Sequence, residues 1–301
     1  MKHFTSRILM ISPDKFRNNE LTISDNSFQS RVSENISISD RAISEFERLK
    51  ESISNRGVNV HAISDDSEFD TPDAVFPNNW ISFHHSNRAV LYPMSALNRR
   101  FERKSSALKK LSDQGIKIDI IKDYSHFEKD DKYLEGTGSI VLDRYNKLAY
   151  CSLSRRSDYD LLNIFCSEMN YKPIVFNSVY QSKPIYHTNV MMSICNNFSI
   201  ICLDSIEDKK QKNNIITNLK NSNLEIIDIE IDQMCSFMGN CIQLVDTNSN
   251  PLLVMSSRAY NAIKNSQLKI IEKHTDIIHS DITTIEDNGG GSARCMIAEI
   301  F

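Results

Sequence analysis

The sequence predicts an α/β fold in one domain, residues 1–301. Three observations predict it. Apolar residues switch between helical spacing and the short apolar runs of strands. The order of elements recurs as strand pair, helix, strand, so hairpin-joined strands can pair while each helix covers a sheet face. No linker, low-complexity stretch or charge block interrupts that alternation.

Residues 39–56 carry Ile43, Phe46, Leu49 and Ile53 near helical spacing, and Gly57 follows where a helix C-cap belongs. Residues 58–63 read as a strand. Residues 80–92 read as two strands around a His85-Ser86-Asn87-Arg88 turn. Residues 99–114 read as one polar-faced helix stopped by Gly115, with a strand at 116–121. Residues 139–150 form a hairpin turning at Arg144-Tyr145-Asn146, followed by a helix at 158–169 and a strand at 173–176. The second half repeats this order. Strand pairs fall at 190–195 with 198–203 and at 241–246 with 252–255. Helices fall at 208–221 and 258–273, with strands at 224–229, 276–279 and 296–300.

Composition narrows the function classes. The 35 Lys and Arg against 39 Asp and Glu give a net charge of -4, which supplies no basic footprint for nucleic acid. No apolar run approaches the roughly 20 residues of a membrane span. The apolar stretch at 8–11 is too short for a secretion signal. The seven cysteines are odd in number and none has C-x-x-C spacing, which argues against a disulfide framework or zinc cluster. Reduced thiols in a cytoplasmic protein are the expectation. A small-molecule partner is expected, with neither nucleic acid nor membrane; a homo-oligomer is left open.

Five places concentrate polar residues. Pro72-Asp73-Ala74-Val75-Phe76-Pro77-Asn78-Asn79-Trp80 reads as a turn or as a ligand-facing loop. Glu135-Gly136-Thr137-Gly138 precedes an apolar strand without the following helix that a dinucleotide fingerprint needs. Arg155-Arg156 is either solvated or holds a ligand carboxylate through a bidentate pair. His187 sits in Tyr186-His187-Thr188-Asn189-Val190 and is structural or catalytic. Gly289-Gly290-Gly291 leads through Ser292-Ala293-Arg294 into Cys295, the most site-like of the seven cysteines. A cysteine nucleophile with a distant histidine and acid is the arrangement these residues support best.

In this order the motifs resemble the guanidino-group-modifying superfamily, the penteins. The resemblance runs from Phe16-x-x-Asn19-x-x-Thr22 and Asn26-x-Phe28-Gln29, through Phe76-Pro77-Asn78-Asn79-Trp80 and Asn98-Arg99-Arg100-x-Glu102-Arg103, to the Gly-rich Cys295 segment. The branch resembled most is the arginine-deiminase-related citrulline utilization hydrolases and amidinotransferases. The resemblance implies a five-bladed pseudo-symmetric α/β propeller of ββαβ-type units. It also implies Cys295 as catalytic thiol, His187 as acid and base, and Glu135 as the acid, with Thr137 where the family has a second glycine. Asp73 and Arg156 match substrate-binding positions, Arg156 for the α-carboxylate with Arg99 or Arg100 as helper. Asn78 and Asn79 complete the site.

One departure decides the expected substrate. Asn79 stands where the deiminases and dimethylaminohydrolases carry an aspartate for the guanidinium. An amide accepts and donates hydrogen bonds but supplies no charge. The expectation is therefore a cysteine hydrolase of the citrulline ureido carbon, acting without a cofactor or metal through a thiocarbamoyl intermediate. Its products are ornithine, ammonia and carbon dioxide. The alternatives are a deiminase or dimethylaminohydrolase acting on a guanidino compound, and a catalytically silent amino-acid-binding pentein.

Overall fold

The structure, a computed structural model, describes residues 3–23, 25–29, 38–66, 68–104 and 106–301. Strands β1 (Arg7–Ser12) and β2 (Asn59–Ser64) pair in parallel, with α1 (Ile38–Ser54) between them in sequence. Next, β3 (Ile81–His84) and β4 (Arg88–Leu91) form an antiparallel hairpin. Helix α2 (Ala107–Asp113) follows, and β5 (Ile120–Asp123) returns parallel to β4.

The order then recurs. A helical turn, α3 (Gly136–Ser139), leads into the antiparallel pair β6 (Val141–Asp143) and β7 (Leu148–Ser152); α4 (Tyr159–Met169) and the parallel β8 (Lys172–Phe176) complete the unit. A ribbon of β9 (Val179–Tyr180) and β10 (Lys183–Pro184) intervenes. Turn α5 (Thr188–Met191) opens the unit of β11 (Met192–Ile194), β12 (Phe198–Ile201), α6 (Lys209–Asn221) and β13 (Glu225–Asp228). After α7 (Ile231–Cys235) come β14 (Ile242–Val245), β15 (Pro251–Ser256), α8 (Ser257–Asn261), α9 (Asn265–Glu272) and β16 (Asp276–Ser280). Helix α10 (Thr283–Gly289) leads to β17 (Ala298–Glu299), which pairs antiparallel with β1 and completes the first sheet from the opposite end of the chain.

Five three-stranded sheets thus share one plan, a middle strand with one antiparallel and one parallel neighbour. Their middle strands read as apolar runs because both faces are covered. All five residues of β7 and all four of β12 are buried. The helices are placed by their caps and apolar stripes. In α4, Asp158 accepts from the Leu161 amide, and Asn170 stops the helix in the left-handed region. Its Leu161, Leu162, Phe165, Cys166 and Met169 face the core; burying one such side chain stabilises by roughly 1.5–3 kcal/mol. Among the described residues no helix is long and apolar enough to cross a membrane.

Several sequence expectations are corrected. Residues 99–114 are not one helix. Asn98–Lys104 is a 3-10 segment and α2 is separate. The tighter winding eclipses positions i and i+3, which stacks Arg99 on Glu102 with Nε 2.8 Å from Oε1. Residues 258–273 split into α8 and α9 because the Gln233 amide donates to the Ala262 carbonyl at 2.7 Å, taking up a group that a continuing helix would use. The strand expected at 116–121 begins only at Ile120. Several short helical segments were not expected; one follows Glu135 and another precedes β11. The stretch at 8–11, left without a structural reading, is strand β1.

Candidate active site

Four of the five sheets receive a polar residue from the turn just before their first strand, and the fifth receives one from the loop before β17. Asn78 and Asn79 lie in the 3-10 turn Pro77–Asn79 before β3. Glu135 and His187 are the N-cap residues of α3 and α5. Asn240 directly precedes the β14 region, and Cys295 lies shortly before β17. Each of these residues is at most 2% exposed.

His187 Nε2 lies 2.9 Å from Glu135 Oε2. Burial alone would raise the Glu135 carboxyl, but Arg156, His187 and Arg99 outweigh it and hold it at about 2. Burial lowers His187 below its ordinary value more than Glu135 raises it. The pair is therefore a neutral imidazole donating to a carboxylate. Gly138 makes this contact possible: a Cβ there would lie 2.5 Å from Asn79 Nδ2 and 2.8 Å from the His187 ring.

The Cys295 sulfur is held from another side. Asn240 Nδ2 approaches it at 3.2 Å and Asn189 Nδ2 at 3.4 Å. Asn240 also donates to the Asn189 carbonyl at 2.9 Å, so the two amides are fixed relative to each other. The loop that presents Cys295 is tied down by Ser292, whose hydroxyl donates to Glu286 at 2.6 Å, and by Tyr186, whose hydroxyl donates to the Gly290 carbonyl at 2.5 Å.

The two cluster arginines are matched with carboxylates. Arg99 donates to Glu102 and, through Nη1, to Asn79 Oδ1 at 2.8 Å; its Nε is 3.8 Å from Asp73 Oδ2. Asp73 Oδ2 accepts from Asn19 at 2.7 Å, whereas the buried Oδ1 has no partner. Burial raises the Asp73 carboxyl, with Arg99 and Asn19 opposing. Arg156 spreads its fork over Asp25, with Nε 3.0 Å from Oδ2 and Nη2 on Oδ1. Its Nη1 lies 3.5 Å from Glu135. Asn79 Nδ2 donates to Asn78 Oδ1 at 2.9 Å, and Asn78 Nδ2 is buried without a partner.

Arg100 does not join the cluster. Its Nε donates to the Met94 carbonyl at 2.9 Å, Nη2 reaches the Tyr133 hydroxyl at 3.3 Å, and Nε lies 3.6 Å from Glu128. Adjacent residues on a 3-10 turn point about 120° apart, so only one of the Arg99–Arg100 pair can face inward. Sequence reasoning also left Asp25, Glu102 and Asn240 unassigned, and gave Asn189 no role. For Asn240 a signal was present: Gly239-Asn240 stands before a strand, as Glu135 and His187 do.

Between Asp73, Phe76, Asn79, Arg99, His187 and Cys295 lies a pocket of only about 10 Å³, room for one water. Thr22 and Asn26 also line it. Among the described residues no three His, Cys, Asp or Glu side chains gather to hold a metal ion.

The family model described as "N,N dimethylarginine dimethylhydrolase, eukaryotic" matches residues 12–301. No curated protein matches the chain. Among solved structures, apo ArgZ, an arginine dihydrolase from the ornithine-ammonia cycle in cyanobacteria, superposes with a TM-score of 0.76 at 16% identity. That match covers 98% of this chain and 40% of ArgZ. The substrate-bound N-terminal domain of ArgZ gives 0.75 at 16% identity, covering 98% of this chain and 97% of that one. A dimethylarginine dimethylaminohydrolase carrying an S-methyl-L-thiocitrulline adduct gives 0.65 at 13% identity, covering 99% and 100%. The chain thus spans 40% of full-length ArgZ, and at these identities the likeness is one of fold. With the family model covering nearly the whole sequence, the chain belongs to the N,N-dimethylarginine dimethylhydrolase family of guanidino-modifying enzymes, hydrolases of C–N bonds.

Proposed function

We propose that this chain, acting as one domain, is a cysteine hydrolase cleaving a C–N bond at the guanidino or ureido carbon of an arginine-type amino acid. The observation that carries the reading is the buried convergence of Cys295, the His187–Glu135 pair and Arg156 behind an unpartnered Asp73 oxygen. The five like sheets are read as the blades of a propeller, each delivering its site residue from the turn or loop before its first strand.

Cys295 attacks the carbon as thiolate, with the Asn189 and Asn240 amides donating to the sulfur. The Cys295 proton passes to His187 as the sulfur attacks; His187 delivers that proton to the departing nitrogen and then takes one from the water that opens the thioester-like intermediate. Glu135 holds the ring and favours the imidazolium formed each time His187 takes a proton. Arg156 accepts the α-carboxylate once Asp25 leaves its fork. Asp73 takes a cationic group of the substrate through its free oxygen.

Two substrates divide this reading. Arginine and its methylated forms are supported by the family and by the arginine dihydrolase fold relatives. Citrulline is supported by Asn79, since an amide at the reacting end suits a neutral ureido group. Citrulline plus water balances as ornithine, ammonia and carbon dioxide. Arginine plus water gives citrulline and ammonia, so one site of this kind can perform both steps in turn. Incubation with arginine, dimethylarginine and citrulline, read by mass spectrometry, tests the proposal. Citrulline accumulating from arginine marks a deiminase. Ornithine from both marks successive hydrolysis, and ornithine from citrulline alone marks a ureido hydrolase. No turnover of any of them contradicts the proposal.

A further inference from the structure

Three turns converge away from the active site. The β3–β4 hairpin brings His84, Ser86 and Arg88, the β6–β7 turn brings Arg144 and Lys147, and the link from α4 to β8 brings Tyr171. Together they enclose a cleft of about 160 Å³. The cleft lies at the far ends of β3 and β6, the strands whose near ends follow Asn79 and Glu135.

Its charges are unbalanced. Arg88 Nε is buried without a hydrogen-bond partner, and Nη1 finds only the Met169 sulfur at 3.9 Å. Lys147 lies 4.8 Å above the Tyr171 ring centroid and has no carboxylate partner among the described residues. Arg144 reaches Glu299 at 3.4 Å, but that same carboxylate serves Arg294 at 3.2 Å. Asp143 is turned to Asn146, accepting from its backbone amide at 2.9 Å and side chain at 2.8 Å. Burial, Arg144 and Arg88 push the Lys147 ammonium down, as expected where like charges face one another. Three cations therefore share part of one carboxylate, beside a serine hydroxyl and in a space that fits one tetrahedral oxyanion.

We propose that this cleft is a binding site for a phosphoryl anion, either inorganic phosphate or a small phosphomonoester, held by Arg88, Arg144 and Lys147. Arginine supplies planar paired donors and lysine a point charge, the usual combination on phosphate oxygens. The site is separate from the catalytic pocket and does not depend on which substrate that pocket takes.

Titration calorimetry at constant ionic strength tests it, with inorganic phosphate in one arm, glycerol phosphate in a second and chloride as control. The expected result is saturable binding of one phosphate per chain, weakened roughly tenfold by Arg88→Gln or by Lys147→Gln and lost in the double variant. Amino-acid turnover stays unchanged in the double variant. Tighter glycerol phosphate assigns the site to an ester, and equal or weaker binding assigns it to free phosphate. Wild-type-like binding in the double variant, displacement of phosphate by the amino-acid substrate, or no binding above the chloride control overturns the proposal.

Discussion

The candidate pocket around Cys295 and the basic cleft both gather arginines, but they neutralise them differently. In the pocket each guanidinium has carboxylates: Glu102 and Asp73 for Arg99, Asp25 and Glu135 for Arg156. In the cleft, Arg88 and Lys147 have none among the described residues. Burial explains the difference. Arg99 and Arg156 are at most 3% exposed, and an unpaired charge at that depth costs several kcal/mol. Lys147 is exposed and Arg88 half-buried, so water and salt screen much of their charge. In the matched pocket the amides of Asn189 and Asn240 donate to the Cys295 sulfur. Burial pushes the Cys195 and Cys241 thiols up, to about 11 for Cys241, whose sulfur lies 3.0 Å from the Ser193 hydroxyl.

The largest expected effect breaks the comparison at the thiol. Cys295→Ala should lose turnover by about a thousandfold or more, whereas Cys195→Ala and Cys241→Ala should keep it within a few-fold. Steady-state kinetics of the three variants check this, and equal losses would remove the distinction among thiols.

The charge matching comes next. Arg156→Lys loses the planar fork and should raise KM roughly ten- to a hundredfold with a smaller change in kcat. Asp25→Asn should act the opposite way, lowering KM by a few-fold, because Asp25 competes with the substrate carboxylate for that fork. A raised KM in Asp25→Asn would mean that Asp25 positions Arg156 instead.

At the reacting end, Asn79→Asp should move the ratio of kcat/KM for arginine over citrulline up by roughly tenfold, since a charge-assisted pair is about twice as strong as a neutral bond. Binding to Cys295→Ala separates affinity from chemistry. An unchanged ratio would take Asn79 out of the specificity argument.

The His187–Glu135 pair sets a pH window. Burial places the folded His187 below 6.5, so its neutral form persists as pH falls from 7 through 6.5. Activity should decline only below 6.5. The unfolded chain binds that proton first, so His187's contribution to stability is complete above 6.5 and is lost as pH falls toward the folded value. A kcat/KM limb above 6.5 that shifts in Glu135→Gln would reverse the assignment. The smallest effect is expected from Arg100→Ala, within about twofold in kcat/KM, because Arg100 faces Met94 and Glu128.

Much of this arrangement was legible in the sequence. Strand pair, helix and strand order followed from spacing, but β1, and with it the pairings of β1 with β2 and β17, did not. The Gly-rich loop before Cys295 and the turn residues before β3 were visible as local chemistry. The break at Asn98–Lys104 was not, because Arg99 also meets Asn79, 20 positions away, a contact that local spacing does not show. Asp25 escaped notice for the same reason: its partner Arg156 is 131 positions away. Asn240 was legible only to a reader who had aligned the five units and asked what stands before each first strand.

The central claim is that Cys295 forms a covalent bond to the substrate carbon. Acid quenching during turnover of arginine or citrulline, followed by peptide mass spectrometry, tests it directly. The account predicts added mass on the Cys295 peptide alone among the seven cysteines. Continued turnover in Cys295→Ala, or an adduct on another thiol, would contradict it.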